Sequence, residues 1–237
     1  MKRIMLTTTT CDNNYLDVMK VFLYSMNQNT KDKELIRADL INGDDEIYSR
    51  LHRLYENLEI KHIEMPRGLD WYKRENMLQL MYTRIPRMWK TLNENWDQVM
   101  TIDSDIIVRK PFDSIWDGVE PSMIKIWDRG PKKQPFTRVQ AGIHIFGNSH
   151  SLKGYYSAFM EDIGDDWAFE YGQAAIYLVY LKFKDKIKLL QMPRHFNDSK
   201  FKSGSTIWHA KHGHFREPRF QNEWQKYLAD ANRIYND

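Results

Sequence analysis

Gln98-Val-Met-Thr-Ile-Asp-Ser-Asp-Ile-Ile-Val108 is the stretch on which the reading of this chain turns. An apolar run, Val99 to Ile102, delivers two carboxylates spaced by one residue, and a second apolar run, Ile106 to Val108, carries the chain away. Alternate residues of an extended segment point to the same side, so Asp103 and Asp105 can present their oxygens together at a strand end. Two convergent carboxylates make a hard-oxygen site suited to magnesium or manganese, with positions left open for phosphate oxygens. A solvated loop after a strand carries the same three residues. The apolar approach from both sides favours the functional reading.

Working outward from this strand, the segments before it alternate in type. Ile4 to Thr8 reads as a first strand, and Asp12-Asn13 offers capping chemistry for a helix over Tyr15 to Met26. Ala38 to Ile41 is a second strand, Asn42-Gly43-Asp44 a turn and cap, and Ile47, Leu51, Leu54 and Leu58 a helical face. Ile60 to Met65 is a third strand, and Lys73 to Leu92 a third helix that Pro86 kinks. Strands alternating with helices predict an α/β fold with a mostly parallel, doubly wound sheet. After Asp105 the expected strands are short, at Met123 to Trp127, Gln140 to Phe146, Ile187 to Gln191 and Thr206 to Trp208. Helices are expected near Leu152 to Glu161 and Glu170 to Lys182, and a surface helix over Asn222 to Ile234.

Composition narrows the function. The formal net charge is +3, from 35 basic and 32 acidic residues, a balance that does not argue for nucleic acid or an anionic membrane as partner, and none is expected. Cys11 is the single cysteine, so no internal disulfide forms and a reducing compartment is comfortable. No apolar run reaches the roughly 20 residues of a membrane helix, and the first residues lack an apolar stretch of signal-peptide length. The expectation is a soluble, cytoplasmic protein of one domain, 1–237.

In open α/β sheets ligands sit beyond the carboxyl ends of the strands. Both Thr7 to Tyr15 and Asp103 to Asp105 fall at that edge. Thr8, Thr9, Thr10 and Asp12 offer hydroxyls, a carboxylate and backbone N–H groups to a base and ribose, with Tyr15 as a stacking face. Taken alone, that stretch is an ordinary helix start with a half-buried tyrosine. Trp208-His-Ala-Lys-His-Gly-His214 carries three histidines and a lysine around a glycine. Its spacing fits no zinc site, but one imidazole with the aspartate pair makes a reasonable manganese set completed by diphosphate oxygens, and lysine suits a pyrophosphate. Arg74, on the sheet-facing line of the third helix, can reach an anion or simply snorkel to water. Gly142 allows a close approach to the strand around it. Asp165, Asp166 and Glu170 either cap a helix or serve a second half-site. Trp71, Trp127 and Trp167 read as packing.

With these residues in view, the order of motifs resembles the GT-A glycosyltransferases, nearest to the glycogenin-like family eight that includes bacterial lipopolysaccharide galactosyltransferases. The resemblance runs from about Ile4 to Pro218 and is patchy. Thr-Cys-Asp-Asn-Asn-Tyr15 resembles the segment that holds uridine. Tyr82-Thr-Arg84 looks like the family's Tyr-x-Arg, whose arginine contacts the donor, which sets Arg84 against Arg74. Met100 to Val108 is similar to Tyr-Leu-Asp-Ala-Asp-Thr-Leu-Val, the metal motif. Gln140-Ala-Gly-Ile resembles Asn-Ser-Gly-Val, Gly172-Gln173 falls where the family has Asp-Gln, and His209 falls where a histidine ligates manganese. The chain departs from the family in two places. Gly172 replaces the aspartate of Asp-Gln, leaving Gln173 and, as a substitute carboxylate, Glu170, Asp165 or Asp166. The family's His-x-x-Gly-x-x-Lys-Pro-Trp is distorted to His209-Ala-Lys-His-Gly213-His-Phe-Arg216, so Lys211 or Arg216 takes the lysine's place.

The resemblance implies a GT-A type fold, Rossmann-like with helices on both faces of the sheet and a smaller mixed C-terminal part, with 1–110 as the nucleotide-binding half and 111–237 as the acceptor-side half. It implies a glycosyltransferase moving a sugar from a nucleotide sugar, a UDP-sugar for preference, to a glycan, lipid or protein acceptor. Asp103, Asp105 and His209 would hold Mn2+ or Mg2+. Ser104, Lys211 and Gly213 would join the donor site, and Asp103, Arg84, Gln173 and Glu170 the catalytic set. Trp208 to Arg216 is expected to close over the nucleotide as a flap. Two rival readings fit the same residues. One is a haloacid-dehalogenase-like phosphatase with Asp103 as nucleophile, although that motif normally ends a first strand. The other is a nucleotide-sugar binder without catalysis.

Overall fold

The computed structural model describes residues 1–12, 14–67, 69, 87, 90–133, 138–148, 177, 180–210 and 217–237. In chain order the elements are β1 (Arg3–Thr10), α1 (Tyr15–Asn29), β2 (Leu35–Ile41), α2 (Asp45–Leu54), β3 (Leu58–Ile63), β4 (Gln98–Ile102) and β5 (Ile106–Val108). A 3-10 turn (Asp113–Trp116), β6 (Met123–Asp128), β7 (Val139–Gly147), β8 (Lys188–Gln191), a second 3-10 turn (Arg194–Phe196), β9 (Ile207–His209) and α3 (Pro218–Asn236) follow. A seven-stranded sheet has the order β3-β2-β1-β4-β7-β6-β8, and β5 with β9 forms a separate two-stranded sheet. The fold is α/β with a central, mostly parallel sheet. The pairs β1–β4, β2–β3 and β6–β8 are parallel, whereas β7 runs antiparallel to both β4 and β6.

The chain divides into two compact units. The first comprises Met1–Leu6, Leu69–Ile102 and Gly118–Met192. All five residues of β4 are buried, because a strand with neighbours on both sides and cover on both faces reads as a continuous apolar run rather than an alternating one. Its register places Arg3 beside Gln98 and Leu6 beside Thr101 on one flank, and Ile102 beside Ile143 on the other. Gly142 in β7 has φ +125°, a conformation that side-chain-bearing residues rarely adopt, so backbone geometry is what requires glycine there. At Gly147, at the end of the same strand, a Cβ would lie 1.9 Å from the Glu120 carbonyl oxygen. Only glycine permits that approach.

The second unit comprises Thr7–Gly68, Asp103–Asp117 and Pro193–Asp237. Asp44 caps α2 by accepting a hydrogen bond from the Ile47 N–H at 2.8 Å. Leu58 opens β3 instead of continuing the α2 face, because Tyr55 has already turned extended. Of the pair expected to cap α1, Asn13 lies outside the described residues and Asp12 contributes through its backbone. The residue flanking α1, Asn14, makes no side-chain bond to the helix, while the Asp12 carbonyl accepts from the Tyr15 N–H. The C-terminal helix is also more than a surface element. Phe220 and Trp224 of α3 join Val18 and Val21 of α1, Ile107 of β5, and Phe201, Trp208 and Ala210 in one buried cluster. Among the described residues, no helix is long and apolar enough to cross a membrane.

Candidate metal centre

β4 stops at Ile102 and β5 starts at Ile106, so Asp103, Ser104 and Asp105 form a short bend between two fully buried strands. The two carboxylates lie on this bend, not along a strand, yet both aim at one point. That point is the ring of His209. β9 pairs antiparallel with β5, setting His209 opposite Ile106 and Trp208 opposite Ile107. Side chains alternate along a strand. Trp208 enters the apolar cluster under α1 and α3, so His209 turns to the opposite side.

The backbone around His209 is held from two directions. The Ala210 N–H donates to the Asp105 carbonyl at 2.8 Å, and the His209 N–H donates to the Asp198 carbonyl at 3.1 Å. The His209 ring is 3% exposed, with Nε2 lying 3.1 Å from Asp105 Oδ1 and 3.4 Å from Asp103 Oδ2. Burial opposes charge on this imidazole. The Asp105 charge, hydrogen bonds to Asp103 and Asp105, and the Asp103 charge together outweigh burial and push its pKa up to about 9. One ligand atom from each residue lies within 4.8 Å of the other two. Two carboxylates and an imidazole converging in this way form a donor set of the kind manganese accepts, and the residues fit such an ion. Without a cation, a proton on Nε2 answers the same negative field.

Behind the ring, Nδ1 lies 2.8 Å from Oδ1 of Asn197, which is fully buried. The next residue, Asp198, ties down the loop that follows. Its carboxylate accepts from the Lys200 N–H at 2.9 Å, the Lys202 N–H at 2.8 Å and the Ser205 hydroxyl at 2.7 Å. Burial pushes the Asp198 carboxyl up, but the Ser205 hydroxyl and the two N–H groups hold it below its ordinary value. The sequence reading missed Asn197 and Asp198. An Asn-Asp-Ser run looks like any polar turn, and nothing local ties it to a histidine further along.

The expected base-and-ribose segment ends β1. Thr9 and Thr10 are buried and Thr8 is partly exposed. Thr10 Oγ1 accepts from the Asp12 N–H at 3.1 Å. The Asp12 carboxylate accepts from Asn42 Nδ2 at 3.1 Å, and Asn42, in a left-handed conformation with φ +57°, also accepts the Met65 N–H at 3.0 Å. Asn42 is thus the hub of this corner, where the sequence had shown only a turn. Tyr15 is half-buried and packs against the cluster of Trp208 and Phe220. Ser104 is buried in the bend. Burial, with help from Asp44 and Asp12, pushes the Cys11 thiol up to about 12, so it is no nucleophile at neutral pH. Of the expected flap, Trp208, His209 and Ala210 are buried and belong to β9 or its immediate continuation. Arg74, Arg84, Asp165, Asp166, Glu170, Gln173, Lys211, Gly213 and Arg216 lie outside the described residues.

In fold this α/β chain is like the GT-A glycosyltransferases, and it brings an Asp-x-Asp bend and a histidine to one point. The particular likenesses are to solved structures. The glycosyltransferase GlyE of Streptococcus pneumoniae TIGR4 superimposes with a TM-score of 0.61 at 14% identity, over 100% of this chain and 62% of that one. Its apo form gives a TM-score of 0.64 at 12% identity. The galactosyltransferase LgtC, solved with donor and acceptor sugar analogues, gives 0.61 at 10% identity, over 96% of this chain and 95% of that one. The chain thus spans 62% of the length of the GlyE structure. At these identities the likeness is one of fold. Neither a family model nor a curated protein matches the sequence.

Proposed function

We propose that this protein is a metal-dependent glycosyltransferase that moves a sugar from a nucleotide sugar, for preference a UDP-sugar, to a hydroxyl of a glycan, lipid or protein acceptor. The observation that carries the proposal is the convergence of Asp103, Asp105 and His209 on one point beyond the end of β4. These three would hold Mn2+ or Mg2+, whose bound charge would neutralise a departing diphosphate. The chain's own contribution is to hold three lone-pair donors in place on backbone bonded to the rest of the second unit. Thr8, Thr9, Thr10, Asp12, Tyr15 and Ser104 form the proposed base and ribose contacts. Arg84 or Arg74, with Lys211 and Gly213, would complete the charge complement at the diphosphate. Gln173 and a carboxylate among Glu170, Asp165 and Asp166 are the proposed groups at the reacting sugar and acceptor hydroxyl. A closing flap is proposed for residues 211–216. A cytoplasmic setting is part of the proposal and rests on the single cysteine.

The phosphatase alternative is not favoured. Its motif belongs at the end of a first strand, whereas β4 follows β1, β2 and β3 in the chain. A panel of nucleotide sugars, assayed with manganese for binding and for slow release of free nucleoside diphosphate, tests the proposal. Asp105→Ala is expected to keep its fold and lose all manganese-dependent stabilisation by UDP. Equal stabilisation of that variant by UDP with and without chelator would remove the metal from the reading. Turnover of a simple phosphomonoester, with no binding of any nucleotide sugar, would overturn it.

A further inference from the structure

We propose that Asn197 is a positioning residue of the metal centre, whose side-chain carbonyl holds the proton of His209 on Nδ1 so that Nε2 offers its lone pair beside Asp103 and Asp105. The inference rests on the metal-centre reading above and adds a residue to it. A neutral imidazole has one N–H and one lone pair, and the partner of one nitrogen decides which is which. Asp103 and Asp105 are acceptors only, and with a cation between them Nε2 must also face it with a lone pair. The ring's proton then has one place left, on Nδ1, where Asn197 Oδ1 waits at 2.8 Å. Were the amide reversed, its NH2 would face Nδ1 and force the proton onto Nε2, the arrangement that repels a cation.

Three features make Asn197 a built partner. It is fully buried, so water does not compete for the ring. Its own N–H donates to the Arg194 carbonyl at 3.0 Å, fixing the backbone from which the amide projects. Its neighbour Asp198 accepts the His209 N–H through its carbonyl at 3.1 Å, so adjacent residues hold His209 by ring and by backbone. An amide supplies the acceptor without adding a further buried negative charge beside the pair already present.

The test compares Mn2+ affinity, by calorimetry of the full chain with and without UDP, in wild type, Asn197→Leu and Asn197→Asp. Leucine keeps the volume and removes the acceptor, and the expected loss is about 10- to 100-fold, the usual effect of removing such an outer partner. Aspartate restores the acceptor and is expected to return affinity to the wild-type value or above. Equal loss in both variants would reduce Asn197 to packing, and equal affinity in all three would overturn the role. A wild type that binds no Mn2+, either alone or with UDP present, would overturn the metal centre itself, and with it this inference. A second measurement needs no folded Asn197 variant. In wild type carrying 15N-histidine and loaded with diamagnetic Cd2+, the His209 ring, assigned by its loss in His209→Ala, should show a slowly exchanging proton on Nδ1 and none on Nε2. A proton found on Nε2 would overturn the proposal.

Discussion

Chelator-treated protein should lose stability as pH rises from 6.5 to about 9, and the loss should trace to His209. The folded pKa of this ring is raised to about 9 from an ordinary 6.5, with Asp105 and Asp103 as the cause and burial acting against them. A group whose folded pKa is raised contributes stability that is complete below its unfolded pKa and is lost as pH rises through the folded value. At 1.36 kcal/mol per pH unit, the difference amounts to about 3 kcal/mol. For a domain of this size that corresponds to roughly 6–12 °C in melting temperature. The assay is thermal unfolding in chelator at steps from pH 6 to pH 10, for wild type and His209→Ala. The difference between the two curves should shrink by that amount across the window. Manganese should reverse the trend. It takes the place of the proton, so its stabilising effect grows with pH over the same range. Parallel curves for wild type and variant would refute the reasoning, because the imidazole would then gain nothing from its carboxylate neighbours.

Two further outcomes test the scaffold beneath the site. Phe220→Ala, in the cluster that also takes in Trp208, should cost about 3–5 kcal/mol in urea unfolding and should weaken Mn2+ binding by loosening β9. An unchanged midpoint would mean that α3 is not needed to hold that strand. Gly147→Ala should destabilise by about 1–3 kcal/mol or more, since the added methyl meets the Glu120 carbonyl at 1.9 Å. A neutral result in chemical denaturation would show that the end of β7 moves aside freely.

Much of this architecture was legible in one dimension because the relevant signals are local. β4 announces itself as an apolar run, and the end of that run puts Asp103 and Asp105 at a strand terminus. The Asn42-Gly43-Asp44 turn carries its own cap to α2. Short polar or apolar stretches of this kind act through backbone conformation and burial over a few residues, which is what a sequence pattern records. Where the signal weakened, as at the last helix, the polar residues were visible and the buried face was not. Phe220, Trp224, Ala231 and Tyr235 become buried only once the chain has folded back, the first two in the cluster with α1 and β9.

By itself, then, the sequence determined the α/β class, the carboxylate pair, and the presence of histidines able to join it. Family resemblance singled out His209 among them. Only the tertiary structure decided how that residue meets the aspartates, and the reason is strand register. β9 alternates its side chains, and the burial of Trp208 against Phe201, in the cluster that also holds Phe220, assigns one face to the core, leaving His209 on the other beside Asp105. A slip of one residue would exchange the two faces. The same holds for Asn197 behind the ring and for Asn42 behind Asp12, whose partners lie far along the chain. Such pairings are set by long-range packing, in which each residue's neighbour is fixed by the burial of some other residue.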